Sequence, residues 1–90
     1  MVTARDVLAM LRELRDLTEI EEGSPQSFKV RAYDNAIGGI ESAPGDVTAM
    51  SRAELVKLKG VGKSIADKIV ELVETGSVAK LEDLRSEYPA

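Results

Sequence analysis

The sequence predicts an all-α fold, a compact bundle of five or six short helices, and three observations predict it. Apolar residues recur with a helical period along most of the chain. Start and stop signals of the helical kind punctuate that period at short intervals. No stretch alternates apolar and polar residues for long enough to make a strand. Ninety residues are enough chain for one domain, and a domain of that size buries roughly 60–65% of its unfolded surface. Hydrophobic residues make up 43% and charged residues 31%, the balance of a folded chain. Aromatics are only 3% (Phe28, Tyr33 and Tyr88), so aliphatic side chains carry the packing.

Each element has its own signal. Thr3 and Asp6 resemble a capping box, and Val7, Leu8, Leu11, Leu14 and Leu17 then recur on one face. That helix runs from about Ala4 to Glu21 and stops at Gly23. Ser24-Pro25 is a second start, serine as the cap and proline in the first turn. Phe28, Ala32, Tyr33, Ala36, Ile37 and Ile40 form the next stripe, closed by the turn Ser42-Ala43-Pro44-Gly45. Asp46 to Met50 allows one short helical turn. Ser51 and Glu54 make a cleaner capping box, opening a short helix through Ala53, Leu55 and Val56. Leu58-Lys59-Gly60-Val61-Gly62 interrupts it. Ile65, Ile69, Leu72 and Val73 mark a fresh helix ending at Gly76, and a last one from near Ser77 buries Val78, Leu81 and Leu84. Pro89, just past that helix, is a residue that usually begins a linker. The chain is therefore expected to be one domain over residues 1–90, an N-terminal fragment of a longer protein.

Composition excludes several chemistries. Without cysteine or histidine there is no thiol chemistry, disulfide framework, zinc finger or imidazole catalysis. Asp and Glu show no EF-hand-like spacing. No apolar run approaches the ~20 residues of a membrane span, and Arg5, Asp6 and Arg12 interrupt any secretory segment. A cytoplasmic protein with no membrane partner, monomeric by default, is the expectation. The net charge of −4 taken alone argues against a polyanion partner. Its distribution says otherwise: residues 29–68 carry +2, and each flank carries −3.

The stretch from Ser51 to Gly76 reads helix, Gly-Val-Gly hairpin, helix. Two glycines let the backbone turn tightly and meet a partner with no Cβ in the way. The next helix presents unpaired amides and the positive end of its dipole at the same place. That arrangement binds phosphate oxygens through backbone groups, which gives affinity without reading bases. Lys59 and Lys63 flank the hairpin, with Lys57 before and Lys68 after. Against Asp67 alone, residues 57–68 carry a local +3. The plainer reading of the same residues is a connector between antiparallel helices with lysines on a solvated face. Val61 and Leu58 pack inward under either reading. The acidic group Glu19, Glu21 and Glu22 reads as a solvated helix end.

Leu58-Lys59-Gly60-Val61-Gly62-Lys63-Ser64-Ile65-Ala66-Asp67-Lys68-Ile69 resembles the helix-hairpin-helix of the family X DNA polymerases. Phe28-Lys29-Val30-Arg31-Ala32-Tyr33 resembles that family's second helix, and Glu74-Thr75-Gly76 with Lys80-Leu81-Glu82 its closing one. The three blocks stand in the family's order and spacing. The chain thus looks like the N-terminal domain of a bacterial-type family X polymerase, similar to the lyase domain of DNA polymerase β.

The resemblance implies DNA as the partner, in gapped or single-stranded regions of base excision repair substrates, and a location at the bacterial nucleoid. It implies that Lys59, Gly60, Val61, Gly62 and Lys63 grip phosphates of the strand downstream of a gap. No further cofactor is implied beyond a monovalent cation, Na⁺ or K⁺, at the main-chain carbonyls of Val56, Leu58 and Val61. The 5′-phosphate pocket maps onto Lys29, Tyr33, Ser64 and Lys80, with Phe28 where an aromatic ring stacks on a base. Two lysines of the polymerase β pocket are replaced here by Val56 and Ser64, which thins or rearranges its charge. Lys68 corresponds to the lysine that attacks the aldehyde of a 5′-deoxyribose phosphate (or an abasic site) to form a Schiff base. Such a lysine needs a partly neutral amine, and Lys63 and Lys29 are expected to supply the repulsion. The plainer alternative leaves Lys68 on phosphate or solvent. Nucleotidyl transfer needs the rest of a polymerase, its catalytic domains being the implied intramolecular partners. The alternative function is a non-catalytic helical protein-interaction module.

Overall fold

Thr3 opens the first helix with reciprocal bonds. Its hydroxyl accepts from the Asp6 amide at 3.3 Å, and the Asp6 carboxylate accepts from the Thr3 amide at 2.8 Å. Helix α1 then spans Ala4–Glu22, and Gly23 closes it at φ 72°, donating to the Glu19 carbonyl. At 19 residues α1 is not short. The computed structural model describes residues 1–88, so the linker expected at Pro89 lies outside the described residues.

The second start signal is not where the sequence placed it. Ser24 Oγ accepts from the Gln26 amide at 3.1 Å, which uses it in a tight turn. Ser27 caps instead, accepting from the Val30 amide at 3.2 Å, and α2 spans Phe28–Glu41. Phe28 is also off the expected stripe, 89% exposed. At 100° per residue it stands about 140° around the helix from Tyr33, so it cannot share the buried face of Val30, Tyr33, Ala36 and Ile40.

A 3₁₀ turn at Val47–Ala49 follows, capped by Asp46. Helix α3, Arg52–Leu55, has the expected reciprocal box of Ser51 and Glu54. Helix α4 spans Lys63–Thr75 and ends at Gly76, φ 81°. Helix α5, Ala79–Glu87, starts two residues after Ser77 and buries Leu81 and Leu84 beside Val78. The described residues are thus all-helical, five α-helices and one 3₁₀ turn, with no strand.

α1 packs along α2 and touches α5, while α3 packs on α4. Their buried faces meet in one aliphatic core that includes Leu11, Leu14, Leu55, Ile69 and Leu84, each fully enclosed. Burial of each such side chain contributes about 1.5–3 kcal/mol. At the rim Arg85 of α5 donates twice to Glu13 of α1, both at 2.6 Å. That bond holds the Glu13 carboxyl below its ordinary range. Both side chains are exposed enough that the pair is worth at most about 1 kcal/mol. It adds to what the buried Val78, Leu81 and Leu84 already do in holding α5, the helix that carries Lys80, against the bundle. No helix of the described residues is long and apolar enough to cross a membrane.

Candidate nucleic-acid interface

The hairpin is shaped by α2. Gly60 adopts φ 85°, a left-handed conformation that disfavours any side chain, and it lies against the Asn35 carbonyl with no room for a Cβ. Gly39, one turn along α2, leaves no Cβ space either, because the Lys59 carbonyl fills it. Val61 donates to the Leu58 carbonyl at 3.1 Å and is buried, so it anchors the turn in the core.

Gly62 is different. Its backbone is ordinary at φ −86°, and open space surrounds its Cα. As the N-cap of α4 it supplies no side-chain cap. The amides of the first turn of α4, Lys63 to Ile65, therefore keep their donors for a partner at the positive end of the helix.

These groups share a cavity of about 680 Å³. Gly60, Gly62, Lys63, Ser64 and Lys68 of the hairpin and α4 line it together with Phe28, Lys29, Arg31 and Tyr33 of α2 and Lys80 of α5. Lys29, Lys63, Lys68 and Lys80 are far apart in sequence, yet the fold brings all four to this cavity. Lys59 lies outside it, in an adjoining groove with Gly39 and Gly60, and Lys57 is exposed. Every ion pair among the described residues is made by Arg12, Arg15, Arg52 or Arg85. The cavity's lysines have no carboxylate partner in that set, so their charge faces the open space.

Lys68 is the most enclosed of the four lysines. Its Nζ donates to Ser64 Oγ at 3.0 Å, one turn back along α4. Burial, and after it the charge of Lys80, hold its pKa below the ordinary lysine range, against the pull of Asp67 and Glu71. The expected repulsion from Lys63 and Lys29 is thus replaced by Lys80, which only the packing of α5 brings near. Asp67 points away and pairs with Arg52 of α3. Tyr33 is both core and wall: burial first, then the Glu21 carboxylate, raise its phenol pKa. The main-chain carbonyls of Val56 and Val61 accept no backbone hydrogen bond among the described residues, and that of Leu58 retains one lone pair beside its bond from Val61.

Some wall residues, Asn35 among them, are not among the site residues the sequence suggested. Thr18 and Glu21, three apart on α1, also line the cavity. Glu21 is half-buried, as is Glu19, so of the three glutamates only Glu22 is the solvated residue the sequence suggested. Glu19 pairs with Arg15 at 2.8 Å, and Glu22 is exposed.

A family model of the helix-hairpin-helix domain matches residues 3–78, which takes in the hairpin and all but the last helix. The chain belongs to the helix-hairpin-helix domain family. No solved structure matches it significantly. Helix-hairpin-helix domains bind DNA, and the hairpin of this one presents the uncapped amides and unpaired lysines that phosphate binding needs.

Proposed function

We propose that this helix-hairpin-helix domain binds gapped or single-strand-containing repair DNA without sequence preference, and that it carries 5′-deoxyribose-phosphate lyase activity at Lys68. One observation carries the reading: the hairpin, the open start of α4 and four unpaired lysines face a single cavity. Amides and lysines hold the phosphates, Phe28 offers its exposed ring to an unstacked base, and the Tyr33 hydroxyl donates to a phosphate oxygen. The carbonyls of Val56, Leu58 and Val61 have the lone pairs to hold Na⁺ or K⁺, which would neutralise charge beside the phosphate. The resemblance to the family X polymerases supplies the substrate class, and the depressed pKa of Lys68 supports its use as a nucleophile.

Fluorescence anisotropy with a gapped duplex bearing a 5′-phosphate tests the binding. Affinity is expected to fall steeply with salt, and each cavity lysine replaced by glutamine should flatten the log–log slope by about 0.7–0.9. Absence of binding at low salt sinks the proposal. Unchanged DNA affinity in the lysine variants would instead favour protein docking. For the lyase, borohydride should trap a covalent adduct with a 5′-deoxyribose-phosphate substrate, and Lys68→Ala should abolish it. Trapping that survives Lys68→Ala assigns the nucleophile elsewhere.

A further inference from the structure

Helix α5 begins without a cap of its own. Its N-cap is Val78, whose side chain cannot accept a hydrogen bond. The Ala79 amide, the first of the helix, donates instead to Glu71 Oε2 of α4 at 2.8 Å. A carboxylate from another helix thus takes the place of a cap residue, and its charge suits the positive end of the α5 dipole. The connection between the two helices is itself tied down. The Thr75 hydroxyl donates to the Glu71 carbonyl at 2.8 Å and accepts from the Ser77 amide at 3.3 Å. Lys80 directly follows Ala79, and Glu71 stands one turn along α4 from Lys68. Glu71 is half-buried and makes no ion pair among the described residues. One carboxylate therefore grips the helix that carries Lys80 and shares a helix with Lys68.

We infer that Glu71 is a positioning residue of the cavity, holding the first turn of α5 so that Lys80 is set against Lys68, a role that rests on the lyase reading above. Glu71 then acts on the Lys68 amine in two opposed ways. Its own charge favours the ammonium, while the lysine it positions disfavours it, second only to burial. Asp67 works in the same direction as the Glu71 charge, but it is shared with Arg52. Lys63 of α4, Lys29 and Arg31 of α2 and Glu21 of α1 line the same cavity, and none of them is bonded to Glu71. Substitution separates the two effects. Glutamine keeps an acceptor oxygen for the Ala79 amide and loses the charge, whereas alanine loses both.

Titration of the Lys68 side chain by NMR in the free domain reads this arrangement without any lyase chemistry. Glu71→Gln should move the midpoint to lower pH than wild type. Glu71→Ala should bring it back up from there, because Lys80 is no longer held. Adding Lys80→Gln to both variants should erase the difference between them. The buried Val78, Leu81 and Leu84 keep α5 docked in every variant, which melting curves check. On a gapped 5′-deoxyribose-phosphate duplex at pH 7, with saturating protein, Glu71→Ala should form the borohydride-trapped adduct about threefold more slowly than Glu71→Gln, a coupling of the size found within one hydrogen-bonded network. If Lys68 titrates alike in Glu71→Ala and Glu71→Gln, or if their difference survives Lys80→Gln, Glu71 does not position Lys80. If the titrations behave as stated and the wild type traps nothing, the lyase reading fails while the placement of Lys80 by Glu71 stands.

Discussion

At the scale of single residues, one lysine is under tension between folding and chemistry. Lys68 is drawn into a partly buried position by the packing of α4, and Lys80 adds repulsion. Both effects disfavour the ammonium in the folded state, so the unfolded chain holds that proton more tightly. The sign follows from linkage. The destabilisation is complete below the folded pKa and is relieved as pH rises toward 10.5, the ordinary lysine value. Lys68→Met should therefore melt above wild type at pH 7, with the difference narrowing near pH 10. The lost charge-assisted bond to Ser64 offsets part of this, the more so the less solvent reaches it. Melting curves at the two pH values check it. A variant less stable than wild type at pH 7 would show that Lys68 supports the fold, and the amine would lose its claim to be activated by its surroundings.

At the scale of elements, the glycines of α2 and the hairpin divide by what surrounds them. Gly38 is helical and open, so Gly38→Ala should stabilise by about 0.5–1 kcal/mol. Gly39, its neighbour, faces the Lys59 carbonyl, and Gly39→Ala must push the hairpin off α2, costing about 1–3 kcal/mol. Gly62→Ala should leave stability within about 0.5 kcal/mol yet weaken DNA binding, because its Cβ would stand on the open amide face. Denaturant titration beside anisotropy separates the three. The same elements show what was legible in the sequence. The bounds of α1 follow from Thr3, Asp6 and Gly23 because caps are local signals. Ser24 and Ser27 are equally good caps, and only tertiary packing chooses between them. Phe28 was misplaced because residue type suggested burial, whereas angular position decided against it. Of the cavity lysines, Lys63 and Lys68 are readable from their spacing about the hairpin, and Lys29 and Lys80 only through the family resemblance. Glu21 was not, because three nearby glutamates look alike until the fold turns one of them into the cavity. Gly39 gave a fainter signal, a glycine inside a helix.

At the scale of the whole molecule, the net charge of −4 is a poor guide because the fold sorts it. Arginines consume acidic groups in pairs that link α1 to α2 and α5, such as Arg12 with Glu41 at 2.9 Å and Arg85 with Glu13. Lysines are left for the cavity. The domain is therefore dipolar, its positive face around the hairpin and its acidic surface on α1 and α5. Electrostatic attraction would both draw in a nucleic acid and orient it. The most direct measurement of the central claim, that this face is the one DNA meets, is an amide-resolved NMR titration with a gapped duplex at low salt. The account predicts shift changes concentrated at Gly60 to Ile65, spreading to the α2 wall around Lys29 and Tyr33, with the acidic outer surface of α5 unmoved. Changes centred on α5 or on the turn at Val47–Ala49, with the amides of Gly62 and Lys63 silent, would contradict it.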